Sequence, residues 1–113
     1  MKPEINFNDF SKVDIRIGTI IEVADFPKAH KPAYQLTIDF GHLGIKKSSA
    51  QITDLYTKED LLNKQIIAIA NFKKKQIANF LSECLILGVA NNKGEIVLLK
   101  ASKNGIKNGE PIN

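Results

Sequence analysis

Val13-Asp14-Ile15-Arg16-Ile17-Gly18-Thr19-Ile20-Ile21-Glu22-Val23 is the stretch on which the fold class turns. Val13, Ile15, Ile17, Thr19, Ile21 and Val23 alternate with Asp14, Arg16, Gly18, Ile20 and Glu22. A period of two places successive side chains on opposite faces, so this is a long half-buried strand. Gly18 inside it predicts a bend or a bulge.

Working outward, Asp25-Phe26-Pro27-Lys28-Ala29-His30-Lys31-Pro32 holds two prolines and reads as a loop. A second alternation follows, with Tyr34, Leu36, Ile38 and Phe40 against Gln35, Thr37 and Asp39. Gly41 and Gly44 break it and lead into a third strand near Ile45–Ala50. Thr57-Lys58-Glu59-Asp60 resembles a capping box ahead of Leu61 and Leu62 and predicts one short helix. Ile66-Ile67-Ala68-Ile69-Ala70 is a continuous apolar run, as expected of a strand buried on both faces. Residues 71–82 read as a connection. Cys84–Ala90, the turn Asn91-Asn92-Lys93-Gly94 and Glu95–Leu99 read as a hairpin. Before the first strand, Phe7 and Phe10 are packing points, and Asn8-Asp9 can cap a short helical turn.

The sum is about five core strands with one short helix between the third and the fourth. The order β-β-β-α-β-β is that of an OB-fold barrel, so the expectation is an all-β, five-stranded barrel with a short N-terminal helical turn. At 113 residues the chain is one domain's length, with a core over about residues 12–101 and an extension at each end. Hydrophobic residues at 43% and charged residues at 25% are ordinary globular values and argue against disorder. No apolar run approaches the roughly 18 residues of a membrane-spanning helix. The first residues show no apolar signal segment, and the lone Cys84 forbids an intrachain disulfide. A cytoplasmic protein without membrane attachment is the expectation.

The formal charge is +4, and its distribution says more than its total. From Leu61 to Ser82 there is no acidic residue, and Lys64, Lys73, Lys74 and Lys75 match the whole excess. A local positive field attracts an anionic polymer. A lysine run is equally a solvated loop in a lysine-rich chain, where Arg16 is the only arginine.

Tests for chemistry come out negative. His30, His42 and Cys84 lack the spacing of a metal site, so no metal and no cofactor are expected. Cys84 lies among Leu85, Ile86 and Leu87, the setting of an inert thiol rather than a nucleophile. Asp39-Phe40-Gly41 spells the kinase magnesium triplet without any accompanying kinase motif. Glu59 and Asp60 are explained by helix capping. No enzyme is expected.

Phe10-Ser11-Lys12-Val13-Asp14-Ile15-Arg16-Ile17-Gly18-Thr19-Ile20 resembles the opening of the tRNA-binding OB domain. That domain occurs in stand-alone tRNA-binding proteins and appended to some aminoacyl-tRNA synthetases. Pro32–Leu36, Ile38–Gly41, Gly44–Ile52, and Asn71-Phe72 through Phe80–Gly88 are similar to its small CsaA-type branch of export-related chaperones. The likeness runs from about Phe10 to the end. There are departures. His30 stands where the family usually has an arginine, and Lys73-Lys74-Lys75 stands where it often has Pro and Arg. Lysine keeps the charge but loses arginine's planar fork. The methionine-containing pattern of the longer domains is absent from Phe80–Gly88.

The resemblance implies an OB-fold homodimer that binds tRNA and can hold unfolded preproteins before export, the latter in apolar grooves such as those near Phe72, Phe80 and the dimer seam. OB-folds bind nucleic acid across strands two and three. On that basis the candidate RNA-binding residues are Lys46, Lys47, Asn71, Lys73, Lys74, Lys75 and Ser82. Alternation puts Lys46 and Lys47 on opposite faces, so at most one enters the groove. The lysines would meet phosphates. Asn71 and Ser82 match family positions beside the basic loop and would supply hydrogen bonds, or else serve as a turn residue and a strand-entry cap. Arg16 would contact RNA or pair with Asp14 or Glu22. His30 reads as solvated and Tyr34 as core.

Overall fold

The computed structural model describes residues 1–113. A helical turn, α1 (Phe7–Ser11), precedes the long strand β1 (Ile15–Asp25). The expected cap shifts by two residues. Asn6 holds the N-cap position, and its N–H donates to Asp9 Oδ2 at 3.0 Å. Then follow β2 (Tyr34–Asp39), a 3-10 turn at Gly41–Leu43, β3 (Ile45–Ala50), helix α2 (Lys58–Leu61) and β4 (Gln65–Ile69). Thr57 caps α2: its Oγ1 accepts the Asp60 N–H at 3.1 Å, and Asp60 Oδ2 accepts the Thr57 N–H at 2.9 Å. The chain continues through β5 (Lys75–Ile77), β6 (Phe80–Ser82), β7 (Leu85–Ile86), β8 (Gly88–Ala90) and β9 (Ile96–Leu98).

The main sheet is antiparallel and five-stranded, in the order β3-β2-β1-β4-β7. Its edges meet where the Glu83 N–H donates to the Lys47 carbonyl at 2.7 Å and Ser48 Oγ donates to the Cys84 carbonyl at 3.0 Å. This is the nearly closed OB-fold barrel that the element order predicts, with α2 between its third and fourth strands. Ile20, Leu36, Ile38, Phe40, Ile52, Leu61, Ile66, Ala68 and Cys84 form the core.

The phase of β1 differs from the plain alternation. Its inward residues are Gly18 and Ile20, then Val23, and the register slips between Ile20 and Glu22. The bulge therefore falls at Ile21 rather than at Gly18. Gly18 serves a close approach instead: a Cβ there would lie 2.7 Å from Ile38 Cγ2 and 2.9 Å from the Phe40 ring. Ile66–Ala70 is also less enclosed than its composition suggests. Ile66 and Ala68 are buried, whereas Ile67 and Ile69 are half-buried.

The hairpin reading divides in two. Leu85–Ile86 completes the barrel against β4, and only Gly88–Ala90 pairs with β9. Asn91 Oδ1 organises the turn by accepting the Lys93 N–H at 2.9 Å and the Glu95 N–H at 3.0 Å. The turn-rich segment after Lys103 packs on the barrel. Ile17 N–H donates to Glu110 O at 3.0 Å, Gly109 N–H to Ile17 O at 2.7 Å, and Ile112 N–H to Ile15 O at 2.9 Å. It thus covers the edge of β1 that β2 leaves free.

Candidate nucleic-acid interface

The segment 71–82 is not a plain connection. Lys75, Gln76 and Ile77 pair with Ser82, Leu81 and Phe80 as a second hairpin lying against β3. It meets the β1–β2 loop through a small apolar cluster of Phe26, Ala33 and Phe80, with Ala29 and Ile77 at its margin. The Phe26 and Phe80 rings stand 5.5 Å apart at 58°. This contact brings together the two loops that flank the binding face of an OB-fold.

Two grooves border the hairpin. One, of about 380 Å³, is walled by Glu22, Ala24, Gln35, Thr37, Lys47 and Phe80 on the outer face of β1–β3. The other, of about 460 Å³, is lined by Ser49, Phe72, Lys73, Lys75, Ile77, Ser82, Cys84 and Leu85.

The candidate residues separate on this surface. Lys47 is exposed on the outer face, whereas Lys46 lies opposite Ile38 on the inward-facing register and is half-buried. Lys73 and Lys75 are exposed, line the second groove and carry no ion pair. Lys74 turns to Glu83, Nζ to Oε2 at 3.5 Å. The same Glu83 accepts the Lys47 N–H through Oε1 at 3.0 Å. Lys64, the fourth lysine of the acid-free window, lies over the Tyr56 ring, 5.8 Å from its centroid.

Asn71 and Ser82 already hold protein backbone. Asn71 Oδ1 accepts the Asp14 N–H at 2.9 Å, and its Nδ2 donates to the Lys12 carbonyl at 2.8 Å. Ser82 is buried, and its Oγ accepts the Ser49 N–H at 3.2 Å. These bonds tie the basic segment to α1–β1 at one end and to β3 at the other. Arg16 pairs with Asp14, Nε to Oδ1 at 2.6 Å, and donates to the Gly109 carbonyl at 2.9 Å. His30 is exposed, as expected of a solvated loop residue. Tyr34 packs half-buried against the core and donates its hydroxyl to the Tyr56 carbonyl at 2.7 Å.

Burial pushes the Cys84 thiol up to about 11, the nearby Lys46 charge only partly offsetting it. The groove wall therefore carries a neutral thiol at physiological pH. Phe72 is not among the RNA candidates read from the sequence, which places it beside an apolar groove for a held peptide. Its signal was present in the sequence: an aromatic residue directly before the lysine run, outside any alternating segment. Its exposed ring lines the same groove as the unpaired Lys73 and Lys75.

The family model described as "Putative tRNA binding domain" matches residues 15–111. A methionine–tRNA ligase of Chlorobium chlorochromatii is 34% identical over 111 residues, which is 98% of this chain and 15% of that protein. The chain thus spans about 15% of the length of that curated relative. Among solved structures, the CsaA chaperone protein of Picrophilus torridus shares 53% identity at a TM-score of 0.90, covering 97% of this chain and 100% of that one. The chaperone CsaA of Bacillus anthracis shares 46% identity at a TM-score of 0.91, over 98% and 100%.

Proposed function

This chain belongs to the tRNA-binding-domain family, and we propose that it binds tRNA, without chemistry of its own, on the face flanked by the β1–β2 loop and the β5–β6 hairpin. The observation that carries this reading is the groove in which Lys73 and Lys75 stand unpaired beside exposed Phe72. Lys47 extends the cationic surface along β3. Lys74 and Lys46 add long-range field, since one is paired and the other half-buried. Asn71 and Ser82 act by holding the loop in place. No helix is long and apolar enough to cross a membrane. A cytoplasmic location is part of this reading, because that is where tRNA is found.

A homodimer belongs to the same reading. Ile5, Phe7, Val13 and Ile112 are exposed, and Phe7 and Phe10 border a groove of about 340 Å³ together with Pro111 and Ile112. An apolar patch at both chain ends suits a second copy. Light scattering at micromolar concentration tests this, and a monomer there removes it.

A second reading, a holder of unfolded preproteins before export, is favoured by one feature. Ala50, Ile52, Leu85, Ile86, Ile96 and Leu98 line a largely apolar seam of about 410 Å³ between β3 and the β8–β9 hairpin. The deciding experiment titrates bulk tRNA across a salt series, with an unfolded apolar preprotein segment in parallel. Salt-sensitive tRNA binding supports the primary reading. Peptide binding with negligible tRNA affinity near physiological salt makes the holder primary.

A further inference from the structure

We propose that the groove at Phe72 takes one unpaired nucleobase, stacked on the Phe72 ring, with the adjoining phosphates on Lys73 and Lys75. The inference rests on the RNA-binding reading and specifies the part of the RNA that docks: a single-stranded loop or end rather than a duplex.

Phe72 is unlike the other phenylalanines. Phe26, Phe40 and Phe80 are buried, and Phe7 and Phe10 stand 5.9 Å apart as a pair. Phe72 is 53% exposed and has no aromatic neighbour. The fold gains little from an apolar group there, since so much of the ring stays in water. Yet the backbone that carries the ring is anchored on both sides. Asn71, immediately before it, is bonded at both ends of its amide to the backbone of residues 12 and 14. Lys75, three residues on, is held opposite Ser82 in the hairpin. The segment therefore runs as a short bridge between two anchors, so little backbone ordering remains to be done when a base arrives.

The chemistry around it selects the occupant. Ile77 and Leu85 supply apolar wall, and Lys73 and Lys75 supply charge that no carboxylate of this chain neutralises. An apolar peptide would have to desolvate these ammonium groups without compensation. A nucleotide offers a flat apolar face and an anionic backbone together. Bases inside a duplex have both faces already stacked, whereas unpaired bases are free to stack on aromatic side chains. The groove, about 460 Å³, falls in the range of roughly 300–1,000 Å³ typical of small-ligand sites.

The chain has no tryptophan, so Phe72→Trp introduces a single tryptophan, selectively excited apart from the two tyrosines, at the site. The probes are oligoadenylate, an abasic strand of equal length, a blunt RNA duplex, bulk tRNA and an unfolded apolar peptide. We expect saturable quenching by oligoadenylate and tRNA, and little by the abasic strand or the duplex. Phe72→Ala should weaken oligoadenylate binding by about five- to a hundredfold with an unchanged salt slope, because a stacking contact is lost and no charge is. Phe72→Tyr should restore the affinity. Salt-sensitive tRNA binding with a silent Phe72→Ala variant, or equal quenching by the abasic strand, overturns the stacking site and leaves the RNA reading intact. Absence of RNA binding at low salt overturns both. A response to the peptide and none to RNA assigns the groove to the holder function and overturns the proposal.

Discussion

Lys74 Nζ stands 3.5 Å from Glu83 Oε2, and this pair turns the middle lysine of a run of three away from the groove that Lys73 and Lys75 line. Glu83 is itself bound into the barrel's closure, its N–H on the Lys47 carbonyl at 2.7 Å and its Oε1 on the Lys47 N–H at 3.0 Å. A feature of barrel closure thus sorts three identical neighbours into two environments.

That sorting is measurable. Lys73→Ala with Lys75→Ala should weaken tRNA binding and lower the steepness of its salt dependence by about 1–2 in the log–log slope, since each phosphate contact contributes about 0.9. Lys74→Ala alone should change affinity less than about threefold, because an exposed pair is worth little and its charge is already partly compensated. Replacing all three should resemble the double variant. Equal effects of the three single variants would mean that the run acts as an undirected patch.

Ser82→Ala separates support from contact. Its hydroxyl accepts the Ser49 N–H at 3.2 Å in a buried setting. Removing it leaves that donor without its partner and should cost about 1–3 kcal/mol of stability. Measured well below the melting temperature, RNA affinity should stay within about twofold. A large affinity loss at unchanged stability would instead make Ser82 a direct RNA contact.

Gly18→Ala tests the packing of the barrel. The added methyl would lie 2.7 Å from Ile38 Cγ2 and 2.9 Å from Phe40, both fully buried. Overpacking of this kind costs about 1–3 kcal/mol. The urea midpoint should fall with the m-value unchanged.

Asp60 gives a pH signature. The Thr57 backbone N–H, then the Thr57 side chain, hold its carboxylate below an ordinary aspartate's 3.8. The folded state therefore keeps this charge to lower pH than the unfolded chain does. The resulting stabilisation is present above 3.8 and fades as pH falls through the folded value. Asp60→Asn should lower the melting temperature at neutral pH and flatten its decline between about pH 4 and pH 2. An unchanged acid limb would exclude the capping carboxylate as its source.

The positions of the first four barrel strands, α2 and the Asn91–Gly94 turn were legible in the chain because each is a local signal: alternation or an apolar run, a capping pattern, turn residues. The core face of β1 was not. Alternation reports that a strand has two faces, and both were apolar here, with Ile15 and Ile17 on one and Ile20 on the other. The choice fell to Gly18, whose missing side chain lets Ile38 and Phe40 approach. The β5–β6 hairpin was unreadable because its three-residue strands are too short to show a period, and because Phe80 is buried by Phe26, more than fifty residues away in the chain.

By itself the sequence determined an OB-type order of strands and a basic segment between the fourth and fifth barrel strands. Both follow from residue types and spacings, which need no distant partner. Tertiary structure alone decided which lysines are free, that Asn71 and Ser82 hold backbone, and that residues 109–112 complete an edge of β1. Each of these depends on a group outside the segment, Glu83 nine residues on from Lys74, or Asp14, Ser49 and Ile17 much farther along the chain, whose approach is set by closure of the barrel and not by any pattern within the segment itself.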